Sequence, residues 1–357
     1  MTSPVSPYME WAKTRSNARF NLASSGLAPL PLAELGELEP LEINGPGQYG
    51  YPPLQERLAR KAGVEPDRVV HATGTSMANL LAMAAVAGAG DEVLVEDPTY
   101  PLLTDAARWL GLEIRRFPRR AENRFRVEAN EVERALTPRT RLIVLTRLHN
   151  PTSAPIDEQT LRVVGALARG VGARVLVDEV YLEALAVLGR PCLSAAHLGS
   201  EFVVTSSLTK GYGLSGLRCG WVIADPDLAR RIWRLNDLFG VTPAHPAELL
   251  SVTALDRLDR PAARARLILE ANTATANAFL ASHPHLECAP LDGGMIAFPR
   301  LRAGDVDRLC DRLREQETTV VPGRFFGAPQ HFRMAIGCAP ETLAGGLERL
   351  ARVLETT

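Results

Sequence analysis

Between residues 67 and 224 the chain alternates short β-branched runs with helical patterns, and this alternation limits its possible folds more than any other feature. Strand-like runs fall at 69–72, 92–95, 113–117, 142–146, 174–177, 202–205 and 220–224. Helical spacing marks 76–87, 102–110, 127–136 and 157–168. Apolar strands separated by helices predict an α/β fold, a parallel or mixed sheet covered on both faces. In such sheets, sites form beyond the carboxyl ends of the strands. That rule selects Gly74-Thr75-Ser76, the run from Glu96 to Tyr100, His149-Asn150-Pro151, the run from Asp178 to Tyr181, and Ser206-Ser207 through Lys210.

The last of these opens the stretch SSLTKGYGLSGLRCGW, with Lys210 three residues after Ser207, eight before Arg218, and among glycines 211, 213, 216 and 220. Four glycines in ten residues weaken any regular element, so they need a reason such as close approach of the backbone to something else. A solvated lysine in a surface loop is the ordinary alternative. Gly74-Thr75-Ser76 closes a strand and opens an apolar helix, which collects free N–H groups, two hydroxyls and the positive helix end at one spot, as an anion site needs. A plain helix cap explains the same residues.

Ser207 and Arg218 form a second phosphate-friendly pair. Asp178 ends the apolar strand RVLVDE, where a carboxylate needs a cation or a strong donor, or else caps the next turn. Asn150 precedes Pro151, which keeps it out of helical conformation and aims its amide elsewhere, although Asn-Pro is also an ordinary turn. Tyr100, after Pro98, offers a flat ring that serves equally for packing.

Taken together, these residues supply what pyridoxal phosphate requires: a lysine for a Schiff base, an aspartate for the pyridinium proton, a phosphate cup at a helix N-terminus and an aromatic face. Asn-Pro, Asp-x-x-Tyr, SxxK and GxxGLRxGW follow in order, with VVPGRFFG and HFRMAIG near the end. From about residue 44 onward the chain resembles the fold-type-I pyridoxal-phosphate enzymes of the class I/II aminotransferase family.

The resemblance implies a large mixed, mostly parallel seven-stranded sheet domain with a smaller α+β domain. It implies that Lys210 carries the cofactor and moves the proton, that Asp178 pairs with the pyridine nitrogen, and that Asn150 and Tyr181 bond the 3′-oxygen. Tyr100 is implied to stack on the ring, with Thr75, Ser76, Ser207 and Arg218 holding the phosphate. Arg333, with Asn150 and the arm residue Gly26, is implied to take the substrate carboxylate. The expected reaction moves the amino group of an L-amino acid to a 2-oxo acid. A carbon–sulfur β-lyase or an amino-acid cyclase on the same fold is the alternative, since the same carbanion serves each, and the HNP reading at His149 resembles the carbon–sulfur lyase relatives. The family also implies a homodimer with active sites between subunits, in which Tyr49 is a candidate for the tyrosine that reaches the partner; the usual NPTG reads NPTS here, with Ser153 at the glycine.

The expected division is an N-terminal arm, 1–43, a large domain, 44–245, and a small C-terminal domain, 246–357. With 40 basic and 41 acidic residues the net charge is −1, so no global field recruits nucleic acid or an acidic membrane. The five cysteines show no metal-ligand or disulfide spacing and suit a reducing cytoplasm, and the apolar segment 77–87 is too short to span a bilayer.

Overall fold

The computed structural model describes residues 5–356. Its centre is a seven-stranded sheet of β1 (Val69–Thr73), β2 (Glu92–Asp97), β3 (Glu113–Pro118), β4 (Thr140–Thr146), β5 (Arg174–Asp178), β6 (Phe202–Ser207) and β7 (Cys219–Ile223), in the spatial order β1-β7-β6-β5-β4-β2-β3. All pairs are parallel except those of β7, which runs against both neighbours. The sheet is therefore mixed and mostly parallel, as expected.

Burial follows position. The central strands β4 to β7 are almost wholly buried, whereas the edge strand β3 alternates exposed and more covered residues and carries Glu113 and Arg115 exposed, which discourages edge-to-edge pairing. One face is covered by α1 (Gly74–Val86) together with helices Pro101–Trp109 and Pro226–Asn236, and the other by helices Pro52–Ala62, Glu158–Gly170 and Leu182–Val187. Helix Pro52–Ala62 stops at Gly63, whose φ of 66° is the left-handed cap that glycine adopts without strain.

The antiparallel course of β7 matters for function. Its first residue, Cys219, lies opposite Thr73, and Gly220 lies opposite Ser207, so the chain enters β7 at the end where β1 and β6 leave off. Arg218 is thereby brought to the carboxyl ends of the parallel strands although it precedes a strand. Asp178 and Thr146 are paired at that same end.

After helices His245–Asp256 and Asp259–Ser282, the C-terminal part forms a three-stranded antiparallel sheet of Ile296–Ala297, Phe332–Ala335 and Val321–Pro322, backed by helices Val306–Glu315 and Pro340–Leu354. Helix His245–Asp256 packs on helix Pro52–Ala62. Among the described residues before 40, the α-helix Pro7–Thr14 is followed by an arm that carries a single 3-10 turn at Leu32–Leu35. Phe20–Asn21 pairs with Thr318–Thr319, the Ala335 amide donates to the Leu22 carbonyl at 2.7 Å, and the Leu27 amide donates to the Lys210 carbonyl at 3.0 Å. The arm is thus laced to the strand carrying Arg333 and to the loop carrying Lys210.

Candidate active site

The selected strand ends converge on one cavity of about 210 Å³, room for a single substituted ring. Its wall includes Thr75, Ser76, Tyr100, Asn150, Asp178, Tyr181, Ser207, Lys210 and Arg218, nine of the eleven residues singled out in sequence. Arg333 and Gly26 stand directly behind it. A Cβ on Gly26 would lie 3.8 Å from Lys210 Cδ, and the Arg333 guanidinium donates to Asn150 Oδ1 at 3.0 Å.

The cup at the start of α1 is not an ordinary cap. The helix begins at Gly74, and no side chain caps it; Thr75 Oγ1 instead donates to Ser207 Oγ at 2.8 Å. The first-turn N–H groups therefore remain open to an anion. Gly74 adopts φ +76°, and a side chain there would collide with the Arg218 guanidinium, so the glycine is what lets Arg218 reach the cup. Gly220 meets the Gly74 backbone in the same way.

Lys210 is partly buried, with its amine donating to Ser25 Oγ at 3.1 Å. Loss of water pulls its ammonium pKa down to about 8, helped by the positive charge of Arg333 and opposed by Asp178. Asp178 is buried, and burial pushes its carboxyl up to about 6 despite two donors and the Lys210 charge. One oxygen caps the next turn, accepting from Val180 N–H at 3.1 Å. The other accepts from Asn79 at 2.8 Å, and Asn79 is in turn held by the Thr205 hydroxyl at 2.5 Å. A carboxylate kept costly in this way is ready for a cationic partner within the cavity.

Two polar atoms around the cavity lack partners. The Tyr181 hydroxyl is buried with no hydrogen bond, its phenol pushed up to about 12 by burial and only partly drawn back by Arg333 and Ser25. The Thr209 hydroxyl is likewise unpaired. Tyr100 packs edge-on to Tyr8, with ring centroids 5.8 Å apart, and borders the cavity.

Arg333 is completely buried. Besides Asn150 it donates to the Tyr8 hydroxyl at 2.9 Å and to the Ala23 carbonyl at 3.2 Å, it lies 5.0 Å from the Phe326 ring centre, and its Nε is unpartnered.

Other sequence features fall outside the cavity. His149 is buried between Thr152 and the Pro98 carbonyl, and burial beside Arg119 lowers its pKa well below the usual range, so it is a neutral structural residue. Ser153 takes a left-handed φ of 60° at the position where the family's glycine is usual, and its hydroxyl donates to the Ile296 carbonyl at 2.7 Å. Tyr49 is 57% exposed and donates to Asp237 at 2.8 Å, away from the cavity of its own chain.

Sequence reasoning missed Asn79, Met9, Thr146, Thr209 and Tyr8. Asn79 left a signal, as a lone amide inside the apolar helix MANLLAMAAVA. The others become neighbours only through the fold.

The aminotransferase class I and II family profile matches residues 39–350. The chain is 30% identical over 377 aligned positions to capreomycidine synthase of Streptomyces vinaceus, covering 99% of this chain and 94% of that protein. It is 27% identical to the probable aspartate/prephenate aminotransferase of Aquifex aeolicus, over 86% of this chain and 82% of that one. Among solved structures, a PLP-dependent aminotransferase from Streptococcus suis superposes with a TM-score of 0.90 at 25% identity, covering 100% of this chain and 99% of that one.

The chain belongs to the aminotransferase class I and II family. It is an enzyme of the transaminase kind, its cofactor is pyridoxal 5′-phosphate, and its substrates are amino acids and 2-oxo acids. The residues present fit that group: an open helix N-terminus with an arginine for the phosphate, a costly buried carboxylate for the pyridinium, an unpaired phenol for the ring oxygen and a lysine amine held in the cavity.

Proposed function

We propose that this chain moves the amino group of an L-amino acid to a 2-oxo acid with the residues of this one cavity, Lys210 bearing the cofactor. The observation that carries the reading is the presence of the Lys210 amine, the Asp178 carboxylate and the Thr75–Ser207–Arg218 cup on a single wall. When bound, the cofactor ring accepts the electron pair released at the substrate Cα.

The tasks then divide among the residues of the cavity. Thr75, Ser76, Ser207 and Arg218 hold the phosphate, and Asp178 keeps the ring nitrogen protonated while Asn79 holds Asp178. Tyr181 and Asn150 donate to the ring oxygen, and Tyr100 covers the ring face. Arg333, with Asn150 and the Gly26 backbone, grips the substrate carboxylate and so aims the Cα–H bond at Lys210. The Lys210 amine would take that proton from Cα and return it to the cofactor's C4′, on the far side of the transferring nitrogen, as a general base with a pKa near neutrality can.

A panel of amino acids tests the reading by absorbance. Transamination converts the cofactor to its amine form with a matching 2-oxo acid and stalls without an acceptor. Continuous release of pyruvate and ammonia with no acceptor, or a cyclised product, sinks it. A second reading, an amino-acid cyclase on the same residues, is favoured by the full-length similarity to capreomycidine synthase.

We propose further that the enzyme works as a homodimer with Tyr49 facing the partner's site, a reading supported by the exposed apolar residues Ile43, Tyr49, Leu238 and Val241 around this segment. Sedimentation of a fully active monomer would refute it. No helix among the described residues is long and apolar enough to cross a membrane, and all five cysteines are free, which supports a cytoplasmic setting that cell fractionation would check.

A further inference from the structure

The Lys210 amine has one hydrogen-bond acceptor in this structure, and it comes from the N-terminal arm: Ser25 Oγ, at 3.1 Å. Ser25 is itself buried. Its neighbours fix its place, because Ala23 offers its carbonyl to Arg333, Gly26 lies against the Lys210 side chain, and the Leu27 amide is bonded to the Lys210 carbonyl. An oxygen that accepts from Lys210 has its own O–H left to give. The Tyr181 and Thr209 hydroxyls, which line the same cavity, are without a partner.

We propose that Ser25 is a positioning residue that accepts from the Lys210 amine and holds the free amine aimed into the cavity. The inference rests on the reading of Lys210 as the cofactor-bearing residue. It assigns the Ser25 side chain a task toward Lys210, where the family resemblance places Ser24-Ser25-Gly26 only as a small loop near the substrate carboxylate.

The groups facing Lys210 set the sign of the effect. Asp178, at the end of β5, favours its ammonium; Arg333, on strand Phe332–Ala335, and Arg218, ahead of β7, oppose it. The phenol of Tyr181 faces the same cavity. A hydrogen bond accepted from an ammonium favours the charged form. Removing the Ser25 oxygen therefore lowers the proton affinity of Lys210 and leaves more free amine at a given pH.

The test uses the full chain stripped of cofactor and mixed with pyridoxal phosphate. Lys210 and the aldehyde condense with loss of water, and the visible band that grows in gives the rate as a function of pH. In Ser25→Ala the midpoint of that profile is expected to fall by about half to one pH unit, so that below the midpoint capture is about 3- to 10-fold faster. Ser25→Thr, which keeps the hydroxyl, is expected to restore the original midpoint. In steady-state turnover Ser25→Ala should lower kcat with little change in KM, because the substrate carboxylate is gripped elsewhere. An unchanged midpoint in Ser25→Ala, or an equal shift in Ser25→Thr, overturns the proposal. A Lys210→Ala chain that still develops the band overturns the reading of Lys210 itself, and this proposal with it.

Discussion

Lys210→Ala is expected to lower turnover by at least about 10⁴-fold, the upper end of what a positioned base contributes, since the same amine also anchors the cofactor. Single-turnover absorbance measures both losses: no visible band from the lysine, and no conversion of added amino acid. A small free amine supplied in solution should restore part of the proton transfer but not the anchoring. The effect on stability runs the other way. The folded chain holds the ammonium at a pKa of about 8, below the 10.5 of an ordinary lysine, so without cofactor the charged amine is a burden on the fold below pH 8. That burden fades as pH rises from about 8 through 10.5, and the stability lost on acidification returns to the alanine variant. Thermal melting of the cofactor-free chains at pH 7 and pH 10 should therefore show Lys210→Ala melting no lower than wild type at pH 7. A lysine that merely filled its loop would give a lower melting point and a modest loss of rate.

Asp178→Asn is expected to lower turnover by about 10²- to 10³-fold, the size of effect seen when one preorganised charge partner is removed. The amide keeps the shape of the carboxylate but cannot hold a proton on the ring nitrogen. It also conflicts with one of its two donors, Asn79 and the Val180 amide, because a single amide oxygen replaces two carboxylate oxygens. The pH dependence separates these causes. Burial holds the Asp178 carboxyl at about 6 in the cofactor-free fold, above the 3.8 of an ordinary aspartate, so its contribution to stability is complete below pH 3.8 and is lost as pH rises through 6. A bound cation reverses that loss. Cofactor should therefore raise the melting temperature of wild type more at pH 7 than at pH 5, and Asp178→Asn should abolish the difference. A variant that keeps both full turnover and the pH-dependent increment would place the pyridinium partner elsewhere.

The sheet was readable in the chain because its strands are short apolar runs with few competing helical signals, and all seven fall within about two residues of where the pattern puts them. The antiparallel entry into β7 was not readable, although Arg218 depends on it: direction within a sheet is set by which strands pair, and nothing local encodes that. The helix after β1 starts at Gly74, two residues before the expected Ser76, because a glycine at φ +76° can turn directly from strand to helix. Cavity residues at strand ends announced themselves as polar groups closing apolar runs. Asn79 gave the opposite pattern, a polar residue within an apolar helix, which has meaning only once Asp178 is known to face it. Tyr8 and Met9 gave no signal, and the contact of Tyr8 is with a residue 325 positions away, which no periodicity reports; Ser25 was legible only within the small loop Ser24-Ser25-Gly26, and its meeting with Lys210, 185 positions away, belongs to the fold. Arg333 was legible in type and order, whereas its burial among Tyr8, Asn150 and Phe326 belongs to the fold.

The arm also fixes a length. Between Leu22, bonded to the strand of Arg333, and Leu27, bonded to the backbone of Lys210, lie four residues, Ala23 to Gly26. The distance from Arg333, proposed to take the substrate carboxylate, to Lys210, proposed to take its proton, is therefore gauged by this short span of backbone. An insertion or deletion of one residue there would change the reach required of every substrate, with each catalytic side chain left intact.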